Sequence, residues 1–222
     1  MLFIWLEKNP LFFTLMVCAV ISFAGFIEIL PDFGKASQPT VGTKPYSILE
    51  LAGRQVYIKD SCNACHSQLI RPFKSETDRY GMYSLSGEYA YDRPFLWGSK
   101  RTGPDLHRVG NYRTTDWHEN HMKSPSSVVP GTVMPAYSHQ FTNLADVATA
   151  YANANTQKQV FGVPYDKPGM PTLGSWADAE KSALEEAKLI AADMKDQDVK
   201  DAVAAGKIPE IVAIIAYMNS LK

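Results

Sequence analysis

The sequence predicts a mainly α fold: one N-terminal membrane-spanning helix, a short linker, and one helical domain with a long irregular middle. Three observations carry this. An uncharged apolar run, Leu11–Ile27, lies near the start of the chain. Apolar spacing of about 3.6 residues returns in four later stretches. No stretch alternates apolar and polar residues well enough to argue for a strand. The 222 residues hold one domain comfortably, or one and a half. With 22 basic against 23 acidic side chains, the chain lacks the basic excess of a nucleic-acid binder, so no nucleic-acid partner is expected. Three cysteines are too few for a disulfide-stapled fold and too few for a four-cysteine zinc site.

The first element is the apolar run itself, which after Glu28 adds Ile29 and Leu30 before Pro31. A helix over Leu11–Leu30 spans roughly 30 Å at 1.5 Å per residue, the thickness of the hydrocarbon core. A cleaved signal peptide would have a shorter apolar region and a small-residue cleavage site, and Glu28 and Pro31 stand there instead. The expected division is therefore a retained single-pass anchor over 1–31, a linker over 32–46 containing Pro39, Gly42 and Pro45, and one domain over 47–222. Lys8 before the span, against Glu28 and Asp32 after it, favours a cytoplasmic N-terminus.

The next helix has a well-written start. Ser47 followed by Glu50 is a capping box, and Ile48, Leu51, Ala52, Val56 and Ile58 supply the apolar face. From Ser67 to Pro135 helical signals fade, while Tyr80, Tyr83, Tyr89, Tyr91, Trp97, Tyr112 and Trp117 accumulate. A stretch so long and irregular needs something other than secondary structure to organise it. Helices are expected again over Asn143–Asn155, over Trp176–Asp193 behind a Ser175/Asp178 capping box, and over Pro209–Leu221 with Pro209 in the first turn.

The chemistry lies in Cys62-Asn63-Ala64-Cys65-His66. Two thiols on one short turn can add across the two vinyl groups of a haem, and the adjacent imidazole then reaches the iron. Chance places this pattern in on the order of one in a thousand chains of this composition. A thioredoxin-type pair should follow a strand, and here a helix precedes it. A zinc site lacks its other ligands. One covalently bound haem c is the expected cofactor, and a large apolar plate would explain the irregular aromatic-rich middle.

The opposite axial ligand decides what the iron can do, because a thioether closes the site to exogenous ligands and leaves electron transfer. Downstream candidates are Met82, Met122, Met134, Met170, Met194 and Met218, with His107, His118, His121 and His139. Met134 is best placed, in the stiff loop Val129-Pro130-Gly131-Thr132-Val133-Met134-Pro135. Met122, between His118, His121 and the loop, is its main competitor. The His118–His121 pair alone makes no metal site, and a structural or interface role is expected for it. All seven arginines lie between residues 54 and 113, where they could pair with haem propionates or simply face solvent or a neighbouring subunit. Asp178–Asp201, rich in both charge signs, reads as a solvated helix face.

CxxCH followed much later by a Met-Pro loop and a closing helix resembles the class I cytochrome c fold. More narrowly, the chain is similar to the membrane-anchored monohaem cytochrome c subunit (subunit II) of cbb3-type cytochrome c oxidases. The residues that carry this are Glu7-Lys8-Asn9, Asp60–Pro72 around the CxxCH, Tyr80-Gly81, and Arg101-Thr102-Gly103-Pro104-Asp105-Leu106. Further along they are Trp117-His118, His121-Met122, Pro125, Ser127–Pro130 and Met134-Pro135-Ala136-Tyr137. Residues 155–207 are the least diagnostic and could be a helical insertion.

The resemblance implies thioether attachment at Cys62 and Cys65, with His66 the proximal and Met134 the distal iron ligand. It implies that the Pro104 carbonyl accepts the His66 N–H, and that Gly53 and Tyr57 meet Ile214, Ala216 and Tyr217 where the first and last helices of the domain cross. It also implies an electron-relay subunit with no substrate of its own. Its partners would be a catalytic haem–copper subunit and a further cytochrome c subunit. The chain would sit in the bacterial inner membrane with its haem domain on the periplasmic side. A free-standing anchored cytochrome, shuttling between complexes, is the alternative.

Overall fold

The structure is a computed structural model describing residues 2–33, 38–98 and 100–222. It divides into two compact units, Met1–Gln38 and Pro39–Lys222. Of the linker expected over 32–46, residues 34–37 lie outside the described residues.

The first unit is helical. Helix α1 spans Leu2–Lys8 and α2 spans Pro10–Phe33. Asn9 separates them: its side-chain amide donates to the Trp5 carbonyl, and its own carbonyl accepts the Phe13 N–H. Pro10 then occupies the first position of α2, where a missing N–H costs nothing. Residues 10–30 form a helix long and apolar enough to cross a membrane, with none of its residues buried. The helix was expected to stop at Pro31, but it continues to Phe33. A proline so near the end removes a single ladder bond, and the helix closes two residues later.

The second unit is built on α3 (Ile48–Lys59) and α10 (Glu210–Ser220). The capping box at the start of α3 forms as the sequence implies. Ser47 Oγ accepts from the Glu50 N–H at 3.1 Å, and Glu50 Oε2 accepts from the Ser47 N–H at 2.7 Å. Every residue of α10 from Glu210 to Met218 is buried, which fits an element apolar on all sides. The two helices cross at Gly53, where a Cβ would overlap the Ala213 carbonyl. Tyr57 and Tyr217 pack edge to face there, with ring centroids 5.6 Å apart. This is the crossing expected of Gly53 and Tyr57.

Helices α7 (Val147–Phe161) and α8 (Trp176–Ala192) pack on α3, and α8 also packs on α10. Ala179, Ala183, Ala187 and Ala191 of α8, four residues apart, are all buried, so this helix approaches its neighbours closely on one stripe. Residues 155–207 thus carry the end of α7, α8 and α9 (Gln197–Ala204), separated by irregular chain, and α7 and α8 join them to the core. The described residues contain no strand, only an isolated bridge between Leu144 and Pro209.

The middle of the chain holds three short helices that periodicity did not reveal: α4 (Lys74–Tyr80), α5 (Thr115–Lys123) and α6 (Pro125–Val128). Polar groups tie it together. Asp105 Oδ2 accepts from Ser67 Oγ at 2.6 Å and from the Leu69 N–H at 2.8 Å, and Oδ1 accepts from the His107 N–H at 2.9 Å. Arg101 donates to Glu76 at 2.8 Å, to Ser67 Oγ at 2.6 Å and to the Leu69 carbonyl at 2.6 Å. Arg108 pairs with Glu88 at 2.8 Å and reaches the Lys222 carbonyl at 2.8 Å.

Candidate functional site

Helix α3 ends at Lys59 and the chain turns through Ser61, at φ 57°, into a 3₁₀ turn over Cys62–Ala64. That turn places Cys62 inside the core and Cys65 at the surface. Burial pushes the Cys62 thiol up to about 12, with the Asp60 carboxylate adding to it. A dithiol redox site needs the opposite, a stabilised thiolate.

The His66 ring is held from two sides. Its Nδ1 lies 2.8 Å from the Pro104 carbonyl, and the Gly103 N–H donates to the Cys65 carbonyl at 2.9 Å. Gly103 lies directly against the ring, where a Cβ would come within 2.7 Å of Nδ1. Burial lowers the His66 pKa below its ordinary value. Because a carbonyl can only accept, Nδ1 carries the proton it donates to Pro104, and Nε2 has no hydrogen bond among the described residues.

Cys62, Cys65, His66, Pro104 and Met134 all line one cavity of about 440 Å³, within the roughly 300–1,000 Å³ of cofactor pockets. Of the axial candidates, Met122, Met134, Met218, His118 and His121 share this cavity, whereas Met82, Met170, Met194, His107 and His139 are not among its lining residues. His107 is occupied elsewhere, with Nδ1 2.6 Å from Ser84 Oγ and its ring stacked on Tyr89. His139 lies 3.0 Å from Asp60. Met218 belongs to α10 and is 2% exposed, and Met122 is 6% exposed within α5. Met134 is half-buried on an irregular loop, its N–H given to Thr132 Oγ1 at 3.2 Å. The next turn is tied to α5 by the Tyr137 N–H donating to the Met122 carbonyl at 2.9 Å.

The residues fit a c-type haem. Two thiols, one imidazole nitrogen without a partner and a thioether suit iron in a porphyrin, and Tyr57, Leu106, Val109 and Val133 supply apolar wall. Sequence reasoning missed two features of the setting. Asp105 and Arg101 pin the Gly103-Pro104 loop to the segment after His66, a role no local pattern signals. The other is the inner face of α5, where His118 and His121 line the cavity and burial pushes each pKa down to about 4.

A mainly helical chain with an apolar N-terminal helix and this set of groups around one cavity defines a haem protein of membrane electron transport. The comparison with protein families makes it specific. Residues 3–222 match the family described as cytochrome C oxidase, mono-heme subunit/FixO, and the chain belongs to that family. It is therefore a haem-carrying subunit of a cytochrome oxidase complex. No curated protein matches the chain.

Proposed function

We propose that this chain relays single electrons through one covalently held haem c to the oxygen-reducing subunit of a cbb3-type oxidase. The carrying observation is that both thiols of the CxxCH, the His66 ring and the Met134 side chain meet in one cavity of a chain belonging to a mono-heme oxidase family. The haem supplies reversible one-electron chemistry. Cys62 and Cys65 hold it through thioethers. His66, oriented through Nδ1 by the Pro104 carbonyl, presents Nε2 as the proximal donor. Met134 would supply the other iron donor, and a thioether there would favour ferrous iron and keep small ligands out. In this reading the chain delivers electrons, and oxygen is reduced in another subunit.

Haem attachment of this kind takes place outside the bacterial cytoplasm. The haem domain, 47–222, is accordingly periplasmic, the linker 32–46 joins it to the anchor 1–31, and the N-terminus faces the cytoplasm. A catalytic haem–copper subunit and a second cytochrome c subunit are the partners.

Met134→Ala tests the assignment. The ferric wild type should show the near-infrared sulfur-to-iron band. The variant should lose it, bind carbon monoxide, drop in potential and keep its haem, while the oxidase still purifies intact from mild detergent. Electron delivery to oxygen should then slow. If Met122→Ala removes the band instead, the distal ligand is the other methionine. A chain that purifies alone, without other haem subunits, would support a free shuttle over the relay.

A further inference from the structure

A second group of ligand-type side chains stands apart from the cavity. Asp60 closes α3, His139 lies on the 3₁₀ turn Ser138–Phe141, and Glu210 opens α10. None of the three is among the cavity-lining residues, yet one donor atom from each lies within 4.8 Å of the others. The Asp60 and Glu210 side chains are 8% and 9% exposed, whereas His139 is 44% exposed. Two buried carboxylates thus lie behind an imidazole at the surface, where an ion has a way in.

Carboxylates held this close and out of water repel one another unless a cation lies between them. Lys59 supplies one positive charge, to Glu210 Oε1 and, at 3.9 Å, to Asp60 Oδ1. His139 Nε2 and Gln140 Nε2 both donate to Asp60 Oδ2, at 3.0 and 2.7 Å. Two acceptors are left over. Glu210 Oε2 and Gln140 Oε1 are buried with no hydrogen-bond partner among the described residues. The first is the second oxygen of a carboxylate in the group. The other belongs to a fully buried amide whose nitrogen already touches Asp60. Buried acceptors left bare are costly, and a metal ion satisfies them where a water does not fit, because it sits only about 2.0–2.2 Å from each donor.

We propose that Asp60, His139 and Glu210 bind one divalent transition-metal ion of the Zn²⁺ type, with the Gln140 amide oxygen as the nearest further donor. An imidazole among carboxylates selects such an ion over Ca²⁺ and Mg²⁺, which take oxygen shells. On binding, the His139 proton moves to Nδ1, the hydrogen bond from Nε2 to Asp60 is exchanged for coordination, and the ring stays neutral. Lys59 retains Glu210 Oε1 while Oε2 turns to the ion. The ion ties together the turn that leads into Cys62, the turn that follows the Met134 loop, and the closing helix. The site does not depend on how the haem iron is ligated.

The test uses the full-length, tag-free, haem-loaded chain in detergent, stripped with chelator and titrated with zinc chloride. Calorimetry should give one Zn²⁺ per chain, and the melting midpoint should rise with zinc. Absorption at the zinc edge, separate from that of iron, should show one imidazole among oxygen donors. Loss of even an outer partner typically costs 10–100-fold, so His139→Ala, at an exposed position, should weaken binding by about tenfold or more and erase the imidazole signal, with covalent haem unchanged. Glu210→Gln should weaken it likewise. Lys59→Met removes an ammonium that repels the ion and should tighten binding. Calcium and magnesium chloride should neither compete nor raise the midpoint. Absence of zinc uptake, unchanged affinity in His139→Ala, a shell without imidazole, or equal competition by calcium overturns the proposal. Weaker binding in Lys59→Met does so too, and would make the two carboxylates simply the partners of that lysine.

Discussion

At the scale of single residues, Gly103 is the most constrained position around His66. A Cβ there would come within 2.7 Å of Nδ1, and the same atom is 2.8 Å from the Pro104 carbonyl. The ring cannot yield without giving up that hydrogen bond, and loss of such an outer partner typically costs 10–100-fold in metal affinity. Gly103→Ala should therefore keep its thioether-bound haem yet show a high-spin fraction in the ferric spectrum. Overpacking should also lower its stability by about 1–3 kcal/mol. An unchanged spectrum and melting midpoint would mean that the ring tolerates displacement. That Cys62, Cys65, His66 and Met134 share one cavity could be anticipated, because the CxxCH turn and the Met-Pro loop are local patterns. Asp105 could not, because its value lies in accepting from Ser67 and Leu69, more than thirty residues away.

Among the elements, those whose ends are written locally were legible. Both capping boxes form, and α8 starts one residue after Ser175 as expected. Helix α7 was expected from Asn143 but begins at Val147. Asp146 caps it, and Leu144 and Ala145 are engaged with Ile208 and Pro209. Helix α5 was missed because its inner face is His118, Glu119 and Met122, an apolar stripe broken by an imidazole and by a carboxylate that accepts the Lys195 and Asp196 N–H groups.

The junction of α3 with α8 makes a pH-dependent prediction. Ser47 sits between two carboxyl groups, accepted by Glu186 Oε2 at 2.7 Å through its hydroxyl and by Glu50 Oε2 through its N–H. Burial, helped by the Glu186 charge, pushes Glu50 up to about 7. Between about 4.5 and 7 the folded chain then holds a proton that the unfolded chain has lost. Stability should fall as pH rises through that window and level off above it. Glu50→Gln keeps an acceptor for the Ser47 N–H and should flatten the slope, stabilising the domain at pH 8 by on the order of 1–2 kcal/mol. Thermal melts of the two proteins across pH 4–8 decide it, and parallel curves would show that Glu50 ionises normally.

For the whole molecule, two halves of the haem domain differ in what holds them. Helices α3 and α10 bury one another through Leu49, Tyr57, Ile211, Ile214 and Tyr217, and α7 and α8 add Ala150, Ala154, Ala179, Ala183 and Ala187, all close to fully buried. Among the described residues, 67–135 contain only α4, α5, α6 and short turns, many of which line a cavity of about 440 Å³. At about 24 cal/mol per Å³, leaving that volume empty would cost up to about 10 kcal/mol, comparable with the whole stability of a domain. Water can enter through the open mouth and reduce this, but it cannot replace contacts with a rigid apolar plate. Cys62→Ala with Cys65→Ala should therefore separate the halves. Amide exchange should remain slow in α3 and α10 and become fast across 67–135, with far-ultraviolet helix signal reduced rather than abolished. Slow exchange throughout a haem-free double variant would show that the Asp105, Glu76 and Arg108 web suffices to order the middle of the chain. The long aromatic-rich stretch would then owe its fold to hydrogen bonds and not to the cofactor.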